Sequence, residues 1–253
     1  MVSVPSMKKI RTISITASSP RYFYPLNDSI AYLTELYSAK IYVLNYLRGA
    51  VIKEITSVSP WTEHIIPFGD DVLVEERNLD AAPKSTAGFV RINTTTHSVK
   101  QRYTFNGSNI NGILKDKYHR VWLLLAEDSA SMTRPSLICL NSDMSIHRTL
   151  LFPSEHHPTL LRINDTGDEL YYVDRDVFRL SINAVNLPDT PLILQNNRNI
   201  YSMETDPYSG DIYLSDALDY VQPSRISRYN NKGQLLDAFY AGIIAGNFTF
   251  RKE

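Results

Sequence analysis

Three short stretches of this 253-residue chain crowd titratable and aromatic side chains together: Trp61-Thr62-Glu63-His64, His156-His157 and Asp216-Ala-Leu-Asp219-Tyr220. Paired histidines suggest a metal, but neighbours on an extended chain point to opposite faces, so a two-histidine site is not expected. Asp216 and Asp219 with backbone carbonyls carry the right atoms for calcium, yet the spaced ligand series of a calcium-binding loop is missing. Covalent and hydrolytic chemistry find no better footing. The chain has no Gly-x-Ser-x-Gly elbow, no Ser-His-Asp set can be placed, and no acid pair of the glycosidase kind stands out. The single cysteine, Cys139, excludes an intramolecular disulfide and any multi-cysteine zinc site, and within its alternating apolar run it reads as an inert core thiol. These residues point to binding, with no catalytic residue, no metal ligand and no resident cofactor expected.

A scaffold must hold them. With 26 Lys plus Arg against 27 Asp plus Glu, the net charge of -1 gives neither the basic excess of a nucleic-acid groove nor a polybasic membrane patch. Hydrophobic residues make up 43% of the chain, enough for a packed core. No run reaches the roughly 18 apolar residues needed to span a bilayer, and residues 1–20 lack the apolar stretch of a signal peptide. The 16 Tyr, 9 Phe and 2 Trp fall largely in alternating runs, which favours strands. No window of a dozen residues keeps helical periodicity between caps.

The strands repeat. A polar pair followed by an apolar residue recurs at Ile30, Val72, Val121, Leu170 and Ile212, a spacing of 42, 49, 49 and 42 residues. Such a period is that of a four-stranded propeller blade. A second register agrees, since the runs 41–45, 89–93, 137–141 and 226–230 all end on Asn and are followed by a turn and another strand. Five full units are expected, starting near Tyr22, Thr62, Ile110, Thr159 and Ile200, in an all-β propeller of one domain, 1–253. Residues 1–4 and 7–16, with 247–250, are expected to build a composite sixth blade that lacks its second strand, as in a propeller shortened at its N-terminus. Tyr22, Phe23 and Tyr24 read as blade-packing residues, and Trp122 as core.

In a propeller the loops before each first strand and after each second strand gather on one face, around the central channel. That places Trp61, Glu63, Asn109, His157, Asn197 and Tyr201 with Tyr37, Arg77, Arg175, Asp216 and Tyr220. Aromatics, amides and charges of both signs suit a polar-rimmed small-molecule site. A glycan-binding or scaffold propeller is the alternative, and a metal-assisted hydrolase or lactonase a weaker one, with Glu63, His157 and Glu204 its available groups.

The last unit carries a resemblance. Ile200-Tyr-Ser-Met-Glu-Thr-Asp-Pro-Tyr-Ser-Gly-Asp-Ile-Tyr-Leu-Ser-Asp-Ala-Leu-Asp-Tyr-Val-Gln-Pro223, the 226–230 run and Ala241-Gly-Ile-Ile-Ala-Gly-Asn-Phe-Thr-Phe250 resemble the carboxy-terminal blade of YncE-like (YVTN-repeat) β-propeller surface lipoproteins of Bacteroidota. Met7-Lys-Lys-Ile-Arg-Thr-Ile-Ser-Ile15, with Ser19-Pro-Arg-Tyr22 and Ala31-Tyr-Leu-Thr34, looks like the same repeat. Ala245 departs from the family's Gly-Ile-Ile-Pro-Gly pattern. The chain also shows neither the seven blades nor the lipoprotein cysteine usual in that family. The resemblance implies a protein on the extracellular face of the outer membrane that captures a corrinoid such as cobalamin and passes it to a TonB-dependent transporter, otherwise monomeric. It would set Trp61, Tyr37, Tyr201 and Tyr220 as walls for the ring, with Asn109, Asn197, Arg77, Arg175 and Asp216 bonded to its amides.

Overall fold

The computed structural model describes residues 2–3, 8–10, 12–15, 19–77, 86–106, 109–127 and 132–251. They contain no helix, so none is long and apolar enough to cross a membrane. The chain divides into two compact units, Met1–Asn109 and Ile110–Glu253. In the first, β1 (Val2–Ser3) and β2 (Lys8–Lys9) pair as a short ribbon. Two up-and-down antiparallel sheets follow: β3 (Pro20–Pro25), β4 (Ile30–Glu35), β5 (Lys40–Asn45) and β6 (Ala50–Thr56), then β7 (Trp61–Phe68), β8 (Asp71–Arg77), β9 (Thr86–Asn93) and β10 (Ser98–Asn106). The second unit holds three more: β11 (Ile110–Lys115), β12 (Val121–Leu125), β13 (Ser136–Leu140) and β14 (Ile146–Leu151); β15 (Thr159–Ile163), β16 (Glu169–Asp174) and β17 (Asp176–Ser181); and β18 (Ile200–Thr205), β19 (Ile212–Asp216), β20 (Pro223–Tyr229) and β21 (Leu235–Ile243). These are the five expected blades, and their first strands start within two residues of the expected positions.

Burial peaks in the second strand of each blade and is low in the described fourth strands β6, β14 and β21. Second strands are covered on both faces, so Val121-Trp-Leu-Leu-Leu125 is an unbroken apolar run buried throughout. In β16 the two faces serve two neighbours. Leu170 and Tyr172 join Trp122, Leu124, Cys139 and Phe152 from the blade before, while Tyr171 and Val173 pack with Met203, Ile212 and Leu214 from the blade after. Each large side chain so buried contributes about 1.5–3 kcal/mol. In the first unit Tyr32, Ile41 and Val43 meet Ile65, Val72, Val74 and Val90 in the same way. In three blades the Asn at the end of the third strand opens the next turn: Asn45 Oδ1 accepts the Arg48 amide, Asn93 Oδ1 those of Thr95 and Thr96, and Asn230 Oδ1 those of Lys232 and Gln234.

Neighbouring first strands come very close. A Cβ on Gly112 in β11 would stand 2.6 Å from Leu161 Cβ in β15, so only glycine fits. Further along, Asn111 Nδ2 donates to Pro158 O at 3.0 Å and Thr205 Oγ1 to Ile163 O at 2.7 Å. Arg162 Nε pairs with Glu204 Oε2 at 2.9 Å between β15 and β18, as Arg21 pairs with Glu63 between β3 and β7.

Three expectations are corrected. The fourth blade has three strands, because after β17 the chain runs through Pro188 and Pro191, which lack the donors a fourth strand needs, and only a Val177–Ile193 bridge forms. Among the described residues no sixth blade forms, since β1 and β2 are two residues each and 247–250 is not a strand. There the Phe248 and Phe250 rings lie against Tyr213, at 5.8 and 5.2 Å. Finally, Tyr22 and Phe23 are exposed, whereas Tyr24 does pack on the core.

Gly112→Ala is expected to lower unfolding free energy by roughly 1–3 kcal/mol through overpacking. Gly242→Ala, whose added Cβ meets nothing within 4 Å, is expected to change it by less than about 0.5 kcal/mol. Urea denaturation of both variants checks the contrast.

Candidate functional site

The fifth residue of a five-residue segment within the second strand ties down this end of four blades. Aligned by burial, 31–35, 72–76, 121–125, 170–174 and 212–216 read AYLTE, VLVEE, VWLLL, LYYVD and IYLSD. In four blades that residue is an acid, and its carboxylate accepts the backbone amide that precedes the same blade's first strand. Glu35 accepts Ser19 N at 2.7 Å, Glu76 Val58 N at 3.2 Å, Asp174 His157 N at 3.3 Å and Asp216 Asn199 N at 2.9 Å. Two also take amides on the turn that follows: Glu35 those of Tyr37 and Ser38 at 2.8 and 2.6 Å, and Asp216 that of Leu218 at 2.9 Å. Bonds from N–H to an ionised acid are about twice as strong as neutral ones, so the loops carrying the predicted site residues are held firmly. Leu125 occupies this position in the third blade.

Within the first unit, Trp61, Glu63 and Arg77 form one cluster. The Arg77 guanidinium lies over the Trp61 ring, 4.8 Å from its centroid, and Trp61 Nε1 donates to Glu63 Oε2 at 2.6 Å. Arg21 grips the same carboxylate from β3, Nε to Oε2 at 2.9 Å and Nη2 to Oε1 at 3.1 Å. Burial alone would raise the Glu63 carboxyl, but the bonds from Arg21 and Trp61 outweigh it and hold the group below its ordinary value. Behind them Glu75, fully buried, binds His64 Nδ1 at 2.7 Å and lies 3.0 Å from Arg77 Nε. Tyr37 is exposed on the β4–β5 turn, with its amide on Glu35. Asn109 immediately precedes β11.

Within the second unit, Tyr201, Asp216 and Tyr220 come together around Asn199. The two tyrosine rings meet edge to face at 6.2 Å, Tyr220 Oη donates to Asn199 Oδ1 at 3.3 Å, and Asp216 holds the Asn199 amide. Both rings stay accessible, at 44% and 47%. His157 Nδ1 pairs with Glu127 Oε1 at 2.6 Å, and His156 Nδ1 with Asp174 Oδ2 at 2.5 Å, so the two imidazoles go to different acids. Arg175 alone joins β16 to β17, at φ 62°, with its side chain exposed. Asn197, at φ 63°, is exposed on the loop before β18. Among the described residues, no three His, Cys, Asp or Glu side chains converge as metal ligands.

Sequence reasoning missed Arg21, Glu75 and Asn199 as the partners that place Glu63, His64 and Tyr220. The acids at the fifth position were visible in the alignment above, but their role needs the register. A cleft of about 670 Å³ lies elsewhere, between the 9–15 segment and the β3–β6 sheet, lined by Ile13, Ile15, Phe23, Leu33, Leu44 and Tyr46. Burial pushes the Cys139 thiol up to about 11, as for an inert core residue.

No family model matches the chain, and no curated protein does. Solved structures are similar to it. One is a streptogramin B lyase, with a TM-score of 0.65 and 15% identity over 91% of this chain and 70% of that one. Another is regucalcin, a calcium-binding protein from Agrobacterium tumefaciens, with a TM-score of 0.60 and 13% identity over 92% of this chain and 76% of that one. A third is a quinonprotein alcohol dehydrogenase-like protein from Bacteroides thetaiotaomicron, with a TM-score of 0.68 and 12% identity, where this chain matches over 93% of its own length and 58% of the other. At such identities the likeness shows the fold, which is a β-propeller.

The turn beside Tyr220 yields a pH test. The Gln222 side chain, then the Gln222 and Val221 amides, hold the exposed Asp219 carboxyl down at about 2. Because the folded value is depressed, the carboxylate orders the turn fully above about pH 4 and loses it as pH falls through about 2. Amide resonances of Val221 and Gln222 are expected to titrate near 2, and a midpoint near the ordinary 3.9 contradicts the assignment.

Proposed function

We propose that this protein is a non-catalytic binding propeller that captures a small molecule with flat apolar surface and amide groups, a corrinoid being the class that fits best. The observation that carries the reading is the Tyr201–Tyr220 pair: two accessible rings at right angles, with Tyr220 bonded to the Asn199 side chain and the Asn199 backbone held by the buried Asp216. Held rings meet a rigid ligand without being ordered on binding, which removes one of the costs of association. Covering about 400 Å² of apolar surface contributes on the order of 10 kcal/mol before those costs. Arg175 and Asn197, on loops of the same unit, supply further donors for amide oxygens.

Binding is favoured over catalysis by the state of the acids. Glu63, Asp174 and Asp216 already accept hydrogen bonds from guanidinium, indole, imidazole or backbone donors. A general base needs a lone pair directed at substrate. Delivery to a TonB-dependent transporter at the outer membrane rests on the likeness of residues 200–250 to the surface lipoproteins.

Titration calorimetry with cyanocobalamin, and separately with a simple hexose, tests the proposal. Saturable corrinoid binding at micromolar or tighter affinity is expected, weakened tenfold or more by Tyr220→Ala and by Tyr201→Ala. No heat from cobalamin with folded protein, a hexose response instead, or variants that bind as the parent does would each overturn it.

A further inference from the structure

After β21 the chain turns back over its own blade. Ile244, the residue that follows the strand, takes φ 52°, a left-handed backbone that a β-branched residue rarely adopts. Such a conformation persists only where its surroundings fix it, and two anchors do so here. The Ala245 amide donates to Ser224 Oγ of β20 at 3.0 Å, and Ser224 is fully buried. Phe248 and Phe250 set half-buried rings on Tyr213 of β19, at 5.8 and 5.2 Å, while Asn247 and Thr249 are exposed. Gly246 lies between the anchors and against the candidate site: a Cβ there would stand 3.2 Å from Tyr201 Cε1. Tyr201 is a residue that needs support. It is the extra residue of a β-bulge, since Ile200 pairs with Asp216 and Ser202 with the adjacent Ser215. A bulge re-aims a side chain and leaves its residue outside the ladder.

We propose that residues 244–250 are a strap that holds the Tyr201 ring in place for ligand, with Phe248 and Phe250 as the positioning residues that keep the strap closed. The inference deepens the binding reading above and rests on it for the identity of the ligand. Strain at Ile244 favours release, and the two rings on Tyr213 oppose it. The strap therefore has two arrangements: closed, with Gly246 backing Tyr201, and open, with the Tyr201 ring free to leave the edge-to-face contact with Tyr220. A ligand that binds the held ring favours the closed arrangement. Phe248 and Phe250 thus act on affinity through Gly246 and Tyr201, without a ligand contact of their own. Only a residue as small as glycine at 246 lets the strap lie this close to the ring.

Magnetic resonance and calorimetry on the full chain test it. In the unmodified protein a nuclear Overhauser contact between Gly246 Hα and Tyr201 Hε is expected, with the Ala245 amide protected from exchange. Phe248→Ala combined with Phe250→Ala is expected to abolish the contact and to speed Ala245 exchange about tenfold or more. The amides of Leu214 and Ile226 keep their protection in that variant, which shows that the blade is folded. Its cyanocobalamin affinity is expected to fall about tenfold, and leucine at both positions to restore it. Gly246→Val, which pushes the ring aside and leaves both anchors, is expected to weaken binding as much while Ala245 stays protected. Three results overturn the proposal: a Tyr201–Gly246 contact or Ala245 protection that survives the double alanine variant, a released strap with unchanged affinity, or Gly246→Val binding as the parent does. Absence of cyanocobalamin binding by the parent overturns the ligand reading instead, and the strap then stands or falls on the Tyr201–Gly246 contact and Ala245 exchange.

Discussion

A buried carboxylate that accepts backbone amides at the end of a second strand is the interaction on which this end of four of the five blades depends. Where the chain turns into a first strand, its amides have no sheet partner, and a buried amide without one is costly. Glu35, Glu76, Asp174 and Asp216 meet that need from one position of the repeat. Each acid joins two segments at one end of its blade, the loop before the first strand and the end of the second. The loops are thereby fixed by the fold itself.

The burial gradient across each blade explains where variation is tolerated. Second strands are packed on both faces, and first strands touch closely enough that Gly112 cannot carry a side chain. Outer strands do little packing, so their composition is free to differ, from the charged β6 and β10 to the apolar β21. Titratable and aromatic side chains of the candidate site therefore collect on the loops held by the acids.

Much of this was legible in the residues themselves. The polar-pair spacing placed the second strands, and the Asn endings placed the turns because Asn accepts amides two and three residues ahead. The repeat period does not reveal that the fourth blade lacks its fourth strand, because spacing says nothing about the donors that Pro188 and Pro191 remove. Tyr22 and Phe23 were misread because a strand's burial depends on what covers it, which local pattern does not encode. Site residues were legible one at a time but not as groups. Trp61 meets Arg77 only through cross-strand register, Glu63 meets Arg21 only through the packing of one blade on the next, and Tyr201 meets Tyr220 ring to ring across a loop whose Asn199 neither residue predicts.

The carboxylate-to-amide clamp is tested most directly by amide hydrogen exchange in Asp216→Ala. The Asn199 and Leu218 amides are expected to lose about 1–3 kcal/mol of protection, roughly five- to 150-fold in exchange rate, while the amides of Leu123 and Tyr172 in other blades keep theirs. Unchanged protection at Asn199 and Leu218 in a folded variant would contradict it, and would mean that the loops are held by packing rather than by charge.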